Sequence, residues 1–119
     1  MVFAWVSQMN KIDKVVRYTK LYSIYHSQLS KSQQEIINDY YFADLSLSEI
    51  AENRGVSRSA IEDALSKGCA KLDELEKELK VYEKSENIQQ KLDILKEKAL
   101  NMKEIEEIEE IEKELDYGI

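Results

Sequence analysis

The residues that could do chemistry cluster between positions 54 and 71. Arg54, Ser57, Arg58 and Ser59 fall within the run ENRGVSRSA, and Lys67 and Lys71 follow it. Short hydroxyls and a guanidinium at a helix start are groups that reach base edges, while flanking cations and hydroxyls hold phosphates. The chemistry on offer is therefore noncovalent recognition of a polyanion. Glu49, Glu52, Glu62 and Asp63 stand among the same cations. A carboxylate can accept a hydrogen bond from cytosine N4, but Lys/Arg neutralisation of phosphates supplies most sequence-independent affinity. Weak DNA binding is the expectation.

Covalent chemistry has little to stand on. His26 is the only histidine and Cys69 the only cysteine. His26 follows Tyr22 and Tyr25 at helical spacing, so a packed or half-exposed ring is expected. Lys67 and Lys71 flank Cys69 and could lower its pKa, but with no histidine near it a buried thiol is the better reading. A lone cysteine also excludes an internal disulfide and a multi-cysteine zinc site. The glycines, Gly55, Gly68 and Gly118, form no phosphate loop. The acidic repeat near the end lacks a turn that would converge its carboxylates on a metal. No enzyme, cofactor or metal is implied.

The elements that must position these residues are helices. Proline is absent and glycines number three, so breakers of regular structure are almost missing. Ile12, Val15, Val16, Thr19, Tyr22, Tyr25 and Leu29 recur in steps of three and four and predict a first amphipathic helix. Lys11, Lys14, Arg17 and Lys20 lie largely off that stripe. Ser30 with Gln33 and Ser46 with Glu49 have capping-box spacing and open two further helices. The second turns Ile36, Ile37, Tyr40 and Tyr41 inward; the third carries Leu47, Ile50 and Ala51. Gly55 can take the left-handed conformation that ends a helix, and Ser57 can cap the next. Ala51 suits a close helix crossing, with Val56, Ile61 and Ala64 facing back. Together these features read as a helix-turn-helix.

The fourth helix continues through Leu72, Leu75, Leu79 and Tyr82 and should outrun its domain. Gly68 within it marks close packing or a bend. Ser85-Glu86-Asn87 is expected to cap a further helix, in which Ile88, Leu92, Leu95, Ala99 and Met102 follow a coiled-coil seam. Leu72, Leu75, Leu79, Tyr82, Ile88, Leu92, Leu95 and Met102 are thus the candidate interface for a partner or second copy, and a homodimer through these helices is expected. The closing KEIEEIEEIEKEL repeats isoleucine every three residues and sets glutamates three and four apart, where they repel. It should fray unless something basic or apolar holds it.

Charge divides the chain. Residues 1–71 hold nine Lys/Arg against eight Asp/Glu, and residues 72–119 hold eight against sixteen. The organisation expected is an N-terminal extension over 1–9, a helix-turn-helix domain over 10–82 and an acidic helical extension over 83–119. The apolar start, MVFAWV, lacks a basic leading segment and falls far short of the roughly 20 apolar residues that span a bilayer. No membrane insertion is expected, and a cytoplasmic location is.

The run LSKSQQEIINDYYFADLSLSEIAENRGVSRSAIEDALSKGCAKLDELEKEL resembles region four of bacterial sigma factors. It is more similar still to the YlxM family of small helix-turn-helix proteins, the resemblance covering about residues 15–84 and departing from the usual family length on either side. The resemblance implies an all-α, sigma region-four-like domain of three or four helices with long C-terminal helices. The family's gene typically neighbours that of the signal recognition particle GTPase, which implies an accessory or regulatory protein of that targeting pathway. The GTPase and the particle's RNA become candidate partners. For RNA, Lys11, Lys14, Arg17 and Lys20 with Tyr18 and Tyr22 offer charge and stacking, although lysines on an outer face and tyrosines in a core are the better reading of them. A DNA-binding transcriptional regulator is the alternative.

Overall fold

The computed structural model describes residues 9–115, all helix and connecting turns with no strand among them. The chain forms two compact units, Met1–Leu79 and Lys80–Ile119. The N-terminal extension expected over 1–9 falls almost wholly outside the described residues, as do the last four of the acidic extension.

In the first unit α1 spans Lys11–Tyr25, capped where the Asn10 side chain accepts from the Asp13 amide at 2.8 Å. Its buried face is Tyr18, Leu21 and Tyr25, with Leu29 beyond it, whereas Ile12 and Val16 are exposed. The apolar stripe expected from Ile12 to Leu29 is therefore rotated, because α1 packs by its tyrosines. A short 3₁₀ turn, His26–Gln28, leads to α2, Lys31–Ile37, which opens on the Ser30/Gln33 capping box. This helix widens into a π turn over Asn38–Phe42 and stops at Asp44, whose φ is 56°.

Next come α3, Leu47–Arg54, and α4, Arg58–Leu79. The central helix of the unit is α4, against which α1, α2 and α3 all pack. Ile36, Ile50, Ala51 and Ile61 form one core cluster, covered by Tyr40, Leu45, Leu47, Ala64 and Leu65. Gly68 marks close packing: a Cβ there would stand 2.9 Å from Cδ1 of the fully buried Ile37. Further along, Leu72, Asp73 and Glu76 are buried and Leu79 is exposed. So α4 stays packed almost to its end, and Leu72, expected in an external seam, is instead core.

Asp73 is 1% exposed. Its Oδ1 accepts from Arg17 Nε at 2.9 Å and from the second guanidinium nitrogen at 2.8 Å, while Oδ2 accepts from the Tyr18 hydroxyl at 2.8 Å. About two turns further along α1, the Tyr25 hydroxyl donates to Glu76 Oε1 at 2.7 Å. Asp73 and Glu76 thus fasten α1 to α4.

The second unit is a helical hairpin of α5, Val81–Lys98, and α6, Met102–Glu114. The chain leaves α4 through Lys80, in the left-handed region at φ 54°, and α5 runs unbroken through Ser85-Glu86-Asn87. The break expected there falls five residues earlier. Asn101 caps α6 by accepting from the Glu104 amide at 3.0 Å. The acidic repeat is held as a helix because Leu92 and Ile108 are buried and Glu112 meets Lys96 at 2.6 Å and also Gln89.

Candidate functional site

The helix-turn-helix is built from α3, the turn and the start of α4. Ser46 Oγ accepts from the Glu49 amide and Glu49 Oε1 accepts from the Ser46 amide, both at 3.1 Å, so α3 begins with its free N–H groups satisfied. Those contacts hold the Glu49 carboxyl below the ordinary glutamate pKa, with the hydrogen bond to the Ser46 backbone the largest cause. At the other end Gly55 adopts φ 66°, ψ 34°, and the Val56 amide returns to the Ala51 carbonyl at 3.1 Å. This left-handed closure favours glycine because a Cβ would strain the backbone. Ser57 then takes the Ala60 amide at 3.1 Å and lies 3.3 Å from Ser59 Oγ. Ala51, Ile61 and Ala64 face inward as the spacing predicts; Val56 does not, being exposed in the turn.

Arg54, Ser57, Arg58, Ser59, Lys67 and Lys71 are all exposed. The first four stand together around the turn. Lys67 and Lys71 lie nine and thirteen residues beyond Arg58 on α4, roughly 14 and 20 Å along the axis at 1.5 Å per residue. Charge is balanced at nearly every point. Arg54 meets Glu35 at 3.4 Å, Arg58 meets Glu62 at 3.8 Å and Lys67 meets Asp63 at 2.9 Å. Each is an exposed pair that stabilises the fold little, but each places a carboxylate where a phosphate would have to approach.

Beside Arg58 an open groove of about 530 Å³ is lined by Lys11, Tyr40, Tyr41, Asp44 and Glu49, among others. Its two cations again face two carboxylates. Sequence spacing gave no sign of it, because Lys11, the aromatic pair and Arg58 meet only through the π turn and the packing of α1. Of the groups considered for RNA, Arg17 is joined to Asp73 and Tyr18 is buried beneath it, so neither is presented for stacking.

Cys69 is buried, and burial pushes its thiol up to about 12, with the Tyr41 hydroxyl 4.0 Å from its sulfur. It is a neutral core thiol at physiological pH; Lys67, one of the two lysines that flank it in sequence, is paired with Asp63 instead. His26 is exposed, with Nδ1 3.1 Å from the Tyr22 carbonyl oxygen and its ring 5.5 Å from that of Tyr22. Among the described residues no cluster of three or more His, Cys, Asp or Glu could hold a metal ion. No described helix is long and apolar enough to cross a membrane.

The candidate partner seam is divided. Leu72 is fully buried in the first unit and Leu92 is buried in the second. Leu75 and Tyr82 are half-buried, while Leu79, Ile88, Leu95 and Met102 are exposed.

Comparison with known proteins agrees with this architecture. The profile of a family described as helix-turn-helix proteins, YlxM / p13 like, matches residues 12–112. The match passes well beyond Lys84, where the sequence resemblance was expected to stop, and takes in both hairpin helices. A relative in Fusobacterium nucleatum is 45% identical over 86 residues, covering 72% of this chain and 84% of the relative. The UPF0122 protein YlxM of Bacillus subtilis is 36% identical over 97 residues, covering 82% and 88% respectively. A relative in Ureaplasma urealyticum is 51% identical over 65 residues, covering 55% of this chain and 66% of its own length.

Proposed function

From the chain's membership of the YlxM / p13 like helix-turn-helix family, we propose that it is a non-enzymatic accessory protein of the signal recognition particle pathway, keeping its helix-turn-helix as a scaffold and making its protein contact through the acidic helical arm. The observation that carries this is the pairing of Arg54, Arg58 and Lys67 with Glu35, Glu62 and Asp63 across the exposed face. A surface so balanced releases few counterions on meeting a nucleic acid, and counterion release is the main source of sequence-independent grip.

The pathway is supported by the family resemblance, through the gene neighbourhood of the signal recognition particle GTPase. The acidic residues of the second unit add an electrostatic reason. Such a surface complements the basic RNA-binding surfaces of that GTPase. A second reading, a DNA-binding transcriptional regulator, is favoured by one feature: Ser57, Arg58 and Ser59 stand exposed at the start of α4 behind a well-formed turn.

One variant separates the two. Arg58→Ala should leave association with the particle's GTPase within about twofold of wild type, about 0.4 kcal/mol where a tenfold change is about 1.4 kcal/mol. Loss of a specific duplex by the same variant, together with a steep fall of that binding between 50 and 200 mM salt, would favour the operator reader. Pull-downs with and without nuclease divide a direct protein contact from one bridged by RNA.

A further inference from the structure

The α5/α6 hairpin has one flank closed by polar contacts and one open apolar flank. Gln89 and Lys96 of α5 both reach Glu112 of α6 and close the first. On α5 the buried Leu92 separates those two residues from Ile88 and Leu95, seven residues apart and so on one side of the helix, with Val81 one heptad before them. On α6 the buried Ile108 likewise separates Glu112 from Ile111. Ile88, Leu95 and Ile111 are 44%, 52% and 47% exposed. The Gln89–Glu112 contact fixes the register of the antiparallel pair and brings Ile111 level with the stretch between Ile88 and Leu95.

Charge frames this flank asymmetrically. Outside the α5 stripe lies a row of exposed lysines, Lys84, Lys91 and Lys98, at the same seven-residue spacing. Outside Ile111 on α6 lie the exposed Glu107 and Glu114. The hairpin register brings Lys91 level with the gap between these glutamates. A surface with a basic edge, a middle that is apolar except for the half-buried Glu104 one heptad before Ile111, and an acidic edge is complementary to itself under a two-fold axis parallel to the helices. That operation lays α5 of one copy over α6 of the other and sets each lysine row against a glutamate row. A two-fold axis crossing the helices would set lysines against lysines.

We infer that this flank docks a second copy of the chain, two hairpins forming a four-helix dimer about an axis parallel to α5 and α6. The inference stands apart from the protein contact proposed above. It differs from a seam through Leu72 and Leu92, which are both buried within their own units. With α5 18 residues long, the face is roughly 27 Å by 20 Å, and two copies bury on the order of 1,000 Å² in total, near the lower bound of a specific interface. A dissociation constant in the micromolar range is expected.

The test uses the full chain in equilibrium sedimentation at roughly 100 µM, about a hundredfold above a micromolar dissociation constant. Wild type should sediment as a dimer, and Leu95→Glu as a monomer of unchanged helical content by circular dichroism. Two charge variants make the geometry decisive. K84E/K91E/K98E gives two acidic edges and E107K/E114K gives two basic ones, so each alone should be monomeric, while an equal mixture should recover the dimer mass. A monomeric wild type, a dimer indifferent to Leu95→Glu, or a mixture that stays monomeric would each overturn the inference.

Discussion

Asp73 shows what a single residue does here. Its carboxylate is almost wholly removed from water and accepts three hydrogen bonds, two from Arg17 and one from Tyr18. Removing one partner of a buried pair leaves the other uncompensated, at a typical cost of 3–5 kcal/mol. Asp73→Ala should therefore destabilise the protein by about 3 kcal/mol in urea unfolding at neutral pH, the low end because Arg17 retains some exposure. A loss below about 0.5 kcal/mol, the level of an ordinary surface substitution, would show that the cluster holds nothing. Legibility at this scale follows sequence separation. Gly55 and the Ser46 and Ser30 caps could be read because their partners lie within a few residues. Asp73 could not, because its partners are 55 and 56 residues away and its neighbours in sequence look like a solvated acidic run.

At the scale of elements, α3 is a helix of eight residues, too short to persist in water without help from its ends and its packing. Its N-terminus depends on the Ser46/Glu49 exchange, which lowers the Glu49 pKa from 4.5. A carboxyl whose folded pKa is depressed contributes stability in full above its unfolded value, and that contribution is lost as pH falls through the folded one. Glu112, lowered chiefly by its hydrogen bond from Lys96, acts the same way in the hairpin. Thermal stability should thus decline as pH drops below about 4.5. Glu49→Gln, which keeps the capping geometry without the charge, should show a shallower decline in that window; equal slopes for the two proteins would refute this. Helix starts marked by a serine and an acid or amide were legible, and so was the glycine closure. The joint at Lys80 was not, since lysine carries no conformational signal and Ser85-Glu86-Asn87 advertised a cap that the chain does not use. The rotation of α1 was missed for a related reason: tyrosines bury where their hydroxyls find partners, and Ile12 and Val16 were free to look more apolar than they are buried.

Over the whole molecule the helical class and the helix-turn-helix could be read from the absence of proline, the capping boxes and the family resemblance. The balance of charge on the recognition face was visible in composition but acquired its meaning only when Glu35, distant in sequence, came beside Arg54. The division at Leu79/Lys80 lies three residues before the boundary that the apolar stripe suggests, because that stripe carries α4 on to Tyr82. A fragment ending at Leu79 retains the Ile36–Ile61 cluster and both acids that fasten α1. It should unfold cooperatively, with coincident transitions by circular dichroism and tyrosine fluorescence; a broad, probe-dependent loss of signal would mean that the first unit is not independently stable. The single left-handed residue at Lys80 then acquires a practical sense. With one residue between α4 and α5, a chain cut after Leu79 sheds the whole hairpin without severing any loop of the first unit.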